Sequence, residues 1–290
     1  VLGHPEFGQT LTRADGMFDL AVNGGDQLTV RYEKDSFLAV QRAVIAPWRD
    51  YAWLPDIVMI PLDTAVTAIS LAASTSIQVS RGNPVSDADG ARRATILFPP
   101  GTTASMVLPN GTTQALTSLN VRATEYTVGS NGPKAMPAPL PPSSGYTYAA
   151  EFSVDEAVAA GASEVRFSQA LPIYVENFLG FPVGGAVPAG YYDRQKGQWI
   201  ASQNGRVIKI LSITSGMADL DLTGTGIVAN AAALTALGVT SEERTHLAQL
   251  YTAGQTLWRV PVTHFTPWDF NWPFAVSSDA ITSPVKVNNN

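Results

Sequence analysis

The chain has 290 residues, 45% hydrophobic and 14% charged, with 24 glycines, 20 prolines, no cysteine and a formal net charge of −6. That length can bury a core spread over two or three units, and the glycine and proline content favours many short strands joined by turns. Without a Lys/Arg cluster there is no electrostatic footprint for nucleic acid or an anionic membrane, and no apolar run approaches the roughly 18 residues of a membrane span; the lack of cysteine excludes disulfides, thiol catalysis and Cys-type zinc sites.

From the N-terminus, short strands are expected at "QTLTR", "MFDLAV", "DQLTVRYEK", "LAVQRAVIAP" and "DIVMIPL". Turns at Asp15-Gly16 and Gly24-Gly25 use residues that tolerate positive φ, between runs of alternating polarity. The pattern predicts a small antiparallel sandwich over residues 1–63. "VLGHPEFGQT" reads as an interior strand with no preceding partner, as in a chain cut from a longer protein.

Between 64 and 132 new strands are predicted at "AVTAISLA", "SIQVSRG", "ATILFPPGTTASMVLPNGTTQAL" and "LNVRATEYTV", with Asn110-Gly111 as the strongest hairpin signal. The proline-dense "GSNGPKAMPAPLPPSSGYTY" predicts an extended surface connection and a boundary at 133–145. A further β unit over 146–262 follows, including a meander that turns at Lys196-Gly197 and Asn204-Gly205. Only residues 229–251 read as helix. In "TSEERTHLAQLY", Thr240 or Ser241 can cap, Glu242 and Glu243 sit in the first turn as solvated N-terminal charges, and Leu247 and Leu250 share a face.

These residues resemble a known family. "GQTLTRADGMFDLAVNGGDQLTVRYEKDSFLAVQRAV" is similar to a carboxypeptidase-regulatory, transthyretin-like domain, in which a T-x-x-D-G-x-F turn precedes a core strand. "RRATILFPPGTTASMVLPNGTTQALTSLNVRATEYTVG", "FSVDEAV", "VRFSQALPIYVENFLGFPVGGAVPAGYYDR", "NGRVIKIL" and "LWRVPVTHFTPWDFNWP" together resemble the region preceding the YD-repeat shell of bacterial Rhs/YD-repeat proteins and the fibronectin-plug segment of teneurins. The resemblance implies mainly β architecture: tandem antiparallel β-sandwich domains, transthyretin-like then fibronectin-like, with a helical insertion near 229–251. It also implies a secreted or cell-surface bacterial protein, in which residues 263–290 lead into a YD shell of the same polypeptide. The chain holds no YD repeats, self-cleavage segment or toxin, so no toxic activity attaches to it.

Candidate chemistry is sparse. In "ADLDLTGTGIVAN", Asp219, Asp221, Thr223 and Thr225 fall at the alternate positions of a calcium loop, but too few carboxylates remain and no bidentate Glu follows, so an ordinary turn before a helix competes with a calcium site. No other cofactor is indicated. His4, His246 and His264 lack a paired-histidine spacing, with His246 read as solvent-facing; a His264–Asp269 acid/base pair has no accompanying nucleophile motif. Asp155-Glu156 and Glu242-Glu243 are adjacent acids that cannot face one another across a glycosidase cleft.

The aromatic residues carry the remaining choice. Trp199, Trp258, Trp268 and Trp272 with Tyr191 and Tyr192 could form a stacking surface for a glycan, which makes an adhesion or carbohydrate-binding module the alternative reading. Phe270, Trp272 and Phe274 instead fall on one side of an extended segment held out of helix by Pro267 and Pro273, the pattern of a strand packed against a partner. The leading expectation is therefore a non-enzymatic structural module that docks a YD shell through Trp258, Phe265, Trp268, Phe270, Trp272 and Phe274.

Overall fold

The computed structural model describes residues 1–71, 75–141 and 144–270. The N-terminal part holds β1 (Gln27–Tyr32) and β2 (Val40–Ile45). Then come β3 (Thr67–Ser70), β4 (Gln78–Arg81), β5 (Val85–Asp87), β6 (Gly90–Arg92), β7 (Ala94–Phe98), β8 (Ala104–Val107), β9 (Thr113–Leu116) and β10 (Ser118–Glu125). Beyond the proline-rich stretch lie β11 (Ala149–Val154), α1 (Asp155–Ala159), β12 (Glu164–Glu176), β13 (Ala186–Val187), β14 (Gly190–Asp193), β15 (Gln198–Ala201), β16 (Gly205–Thr214) and β17 (Met217–Asp221). The chain continues through α2 (Ala231–Ala236), α3 (Ser241–Leu250), β18 (Thr256–Phe265) and β19 (Pro267–Asp269).

Two antiparallel sheets form the body: a six-stranded sheet ordered β15-β14-β19-β11-β10-β3, and a nine-stranded one along β13-β16-β18-β12-β7-β4 that also takes in β17, β8 and β9. Their inner faces share one core, in which Phe152 and Phe270 meet Phe98, Phe167, Phe265 and Trp258. The mainly β sandwich expected from the sequence is present.

The nine-stranded sheet is covered on both faces, which explains its strands. In β18, Trp258, Val260 and Val262 point into the shared core, while Leu257 packs outward with Tyr174, Leu220, Leu247 and Tyr251 beneath α3. β7 is buried at every position for the same reason. The predicted helix near 229–251 is α2 plus α3. Thr240 caps α3, accepting from the Glu243 amide while the Glu243 side chain accepts from the Thr240 amide.

Hairpin chemistry was readable. Asn110-Gly111 joins β8 to β9, with Gly111 at φ 82° and Val107 opposite Thr113. Lys196-Gly197 joins β14 to β15. The second expected turn of that meander differs: after Asn204 the chain leaves the six-stranded sheet, and β16 pairs with β18 in the other one. Gly205 is needed there for close approach, because a Cβ would stand 2.4 Å from the Arg259 carbonyl oxygen.

Three expectations need correction. Residues 1–63 do not form a sandwich of their own: among the described residues they hold one two-stranded ladder, β1–β2, and "QTLTR" and "MFDLAV" stay outside any strand. Polarity alternates there, but among the described residues the only backbone bond between the two segments runs from the Arg13 amide to the Met17 carbonyl at 2.8 Å, which is too little to make a ladder. The boundary at 133–145 does not separate two sheets, since β10 pairs with β11 and both β7 and β8 pair with β12 across it.

Nor is the proline-rich stretch a surface connection. Ala135, Met136 and Ala138 are buried, wedged between the N-terminal part and the outer face of the six-stranded sheet. Prolines bring no amide donor, so mostly carbonyls must be satisfied. Arg42 donates to the carbonyls of Lys134 (2.9 Å) and Met136 (3.1 Å), and the Gln41 amide donates to Pro137 (2.7 Å).

Candidate functional site

The segment from His264 was expected to present rings to a partner. β18 ends at Phe265 in the nine-stranded sheet and β19 starts at Pro267 in the six-stranded one, so the chain crosses between sheets at Thr266. The crossing buries the rings inside this chain: Trp258 is 0%, Trp268 1%, Phe270 1% and Phe265 3% exposed. Trp258 donates to Asn177 Oδ1 at 2.8 Å and Trp268 to the His264 carbonyl at 3.1 Å. The assignment of these four residues to docking is therefore corrected, because none has surface to offer a partner. Trp272 and Phe274 lie outside the described residues.

Among the described residues the glycan platform is not assembled either. Tyr192 is buried and donates to Gln41 Oε1 at 2.7 Å, Tyr191 packs edge-on against His264 at 4.4 Å, and the Trp199 indole donates to the Pro139 carbonyl at 3.0 Å. No acid/base pair forms between His264 and Asp269: Asp269 accepts from Ser144 at 2.9 Å, and the His264 ring lies against Tyr191 and Trp268 with its Nε2 buried and unpartnered. Burial holds the His264 imidazole below the ordinary histidine range.

In the calcium-like loop the carboxylates are already engaged. Asp221 Oδ1 accepts from the amides of Thr223 (2.8 Å) and Gly224 (2.9 Å), and Oδ2 from Gly226 (2.7 Å). Burial opposes ionisation of Asp221, but these three amides outweigh it and set its pKa below the ordinary carboxylate range. Asp219 is tied to Arg244 at 2.9 Å and to Ser212 and Thr214, while Thr223 and Thr225 bond each other at 2.9 Å. Asp221 thus organises a turn through its own side chain, and the donor set does not fit a calcium ion, which needs six or more oxygens free to converge. Asp221→Ala is expected to cost about 2 kcal/mol in urea unfolding, from charge-assisted bonds. Calcium or EDTA should leave the wild-type melting temperature unchanged.

Buried ionic clusters are what the sequence reading missed. Glu243, read as a solvated charge, is 2% exposed and meets Arg259 and the Tyr174 hydroxyl under α3. Arg194 pairs with Glu151 (2.6 Å) beside Tyr126 on the outer face of the six-stranded sheet. Arg92 bridges Asp87 (2.7 Å) and Glu125 (2.6 Å) and lies 4.4 Å from the Phe178 ring centroid. Arg92 draws the Asp87 pKa down to about 2, and burial raises that of Glu125 against the pull of Arg92. The Glu243 position was visible as part of a capping box; the partners come from strands far away in sequence.

The exposed rings lie elsewhere. Ile45 at the end of β2 is 75% exposed, and Trp48 at 74%, Tyr51 at 85% and Trp53 at 78% follow on the loop leaving it. Gly24-Gly25 lets this loop approach, since a Cβ would stand 2.2 Å from the Pro47 carbonyl oxygen at Gly24 and 2.6 Å from Trp48 Nε1 at Gly25. That glycine pair serves loop packing in addition to turning the chain.

Comparison with known proteins bears on the same part of the chain. Residues 1–59 match the family model described as the teneurin TTR-like domain. Teneurin-3 of Mus musculus is 43% identical over 58 residues, 20% of this chain and 2% of that protein. Teneurin-1 of Caenorhabditis elegans is 41% identical over 56 residues, 19% of this chain and 2% of the relative. Teneurin-4 of Mus musculus is 31% identical over 84 residues, 29% of this chain and 3% of the relative. No solved structure matches the chain. No helix among the described residues is long and apolar enough to cross a membrane. The chain spans 2–3% of the length of these three teneurins, and its N-terminal part, which carries the exposed rings, is similar to their TTR-like domain.

Proposed function

We propose that this chain is a non-enzymatic structural module of a larger secreted or cell-surface protein of the teneurin-like, Rhs/YD-repeat kind, supporting one end of a YD-repeat shell in the same polypeptide. The observation that carries this reading is the TTR-like part fastened to the sandwich with its rings turned outward. Gln41 links to Tyr192 and to the Arg194 carbonyl, and Arg42 reaches the proline-rich wedge, so the loop bearing Trp48, Tyr51 and Trp53 is held by a rigid support. Titratable groups that would serve catalysis in an open cleft are engaged here in structural pairs.

In this reading, Ile45, Trp48, Tyr51 and Trp53 replace the buried segment at 258–270 as the docking surface, and affinity comes from covering apolar rings. Changing Trp48, Tyr51 and Trp53 together to Ser is expected to leave the melting temperature within about 2 °C, since exposed positions contribute little to stability. The same variant should no longer co-purify with a separately expressed YD-repeat region. Undiminished co-purification would overturn the docking surface.

A further inference from the structure

We propose that His264 is an acid-sensitive latch: neutral, it holds β19 in place between β14 and β11 of the six-stranded sheet, and protonated, it releases β19 before the rest of the sandwich opens. His264 sits two residues before the crossing at Thr266. Its ring lies 4.4 Å from Tyr191 and 5.2 Å from Trp268, its carbonyl holds the Trp268 indole, and its Nε2 is sealed from solvent with no partner. Nδ1 is 3.4 Å from the exposed Thr263 hydroxyl. The pocket therefore accommodates a neutral imidazole and gives an imidazolium no acceptor at Nε2.

The surrounding charges do not supply one. β12 presents Glu164 and Arg166, paired at 2.5 Å. The β14–β15 hairpin presents Asp193 and Lys196, paired at 3.0 Å, and Arg194, paired with Glu151 at 2.6 Å. Tyr191, on β14, offers its ring. These three pairs balance, so a proton on His264 adds an unmatched positive charge to a half-buried wall. β19 is the element exposed to the consequence: it has three residues, and Trp268 lies on His264.

The sign follows from burial. The folded-state pKa of His264 lies below that of the unfolded chain, about 6.5. Stability is complete above that value and falls as pH drops toward the folded pKa, because only the unfolded chain then takes up the proton.

The test compares wild type with His264→Phe by urea unfolding from pH 8 to 5, together with amide hydrogen exchange. Wild type is expected to lose up to tenfold in its folding equilibrium constant per pH unit below about 6.5 relative to the variant, since one proton is involved. Titrations elsewhere in the chain, that of Glu125 among them, cancel in that difference. Protection at the Phe270 amide, which bonds the Tyr148 carbonyl at 3.0 Å, should fall before that of the β12–β18 ladder. If the phenylalanine variant does not fold, His264→Asn replaces it, and proton NMR titration of the three wild-type histidines reads the His264 pKa directly. A flat difference curve, a His264 titrating near 6.5, or simultaneous loss of protection across both sheets would each overturn the latch.

Discussion

Glu243→Ala is expected to destabilise the protein by about 3–5 kcal/mol, the usual cost of leaving a buried charge without its partner. The charge left behind is Arg259, 4% exposed in β18. Its guanidinium donates to Glu243 at 2.8 and 3.2 Å, to Tyr174 at 3.2 Å, and to the Leu237 and Gly238 carbonyls at 2.9 and 3.1 Å. The last two acceptors are the free carbonyls at the end of α2, so one arginine ties both helices to the outer face of the nine-stranded sheet. Removing Glu243 also strips the reciprocal bond from the α3 cap, worth about 1 kcal/mol more. Equilibrium urea unfolding of the variant measures the sum. Adding Arg259→Met to the same chain should recover a large part of it, because an apolar side chain removes the stranded charge. A double variant no more stable than Glu243→Ala would mean that packing, and not the charge, sets the cost.

That cluster marks where the sequence stopped being informative. "LWRVPV" places Arg259 one position from Trp258 on a strand whose polarity alternates, and alternation ordinarily assigns a charged residue to solvent. It goes wrong here because α3 lies over the face Arg259 occupies. The same reasoning located Asn110-Gly111 and the Lys196-Gly197 hairpin and narrowed the α3 cap to Thr240 or Ser241, features whose causes all lie within four residues. It could not give the pairing of β12 with β18, roughly ninety positions apart in the chain and fixed by the partner strand. In the proline-rich wedge, composition gave the extended backbone at Met136 but neither the 3-10 helix over Gly129–Ala135 that precedes it nor Arg42, which makes the burial possible.

The candidate site was misplaced for a related reason. Ring density singled out the segment from His264, and the one-sided spacing of aromatic residues was read as a face awaiting a partner. Of the three residues in that spacing, Phe270 is covered by this chain, and Trp272 and Phe274 lie outside the described residues. Trp48, Tyr51 and Trp53 share no strand or helix period, and their exposure follows from a loop that Gly24-Gly25 holds against the ladder.

Trp268→Ala separates the two placements. As a core residue Trp268 is 1% exposed, touches Tyr191, His264 and Phe270, and pairs through β19 with Ala150 of β11. Truncating it opens a cavity where the two sheets exchange a strand, and the expected cost is about 3–5 kcal/mol. The indole bond to the His264 carbonyl is lost as well, leaving a buried acceptor without that donor. Trp268→Phe, which refills much of the volume, should cost clearly less. Urea unfolding of both variants beside the Trp48, Tyr51 and Trp53 triple change gives opposite outcomes for the two locations. If Trp268 packs the core, its variants lose stability in proportion to volume removed and the loop variant loses none. A Trp268→Ala protein with wild-type stability and impaired docking would return the interaction surface to β19, at odds with a ring that the two sheets enclose between them.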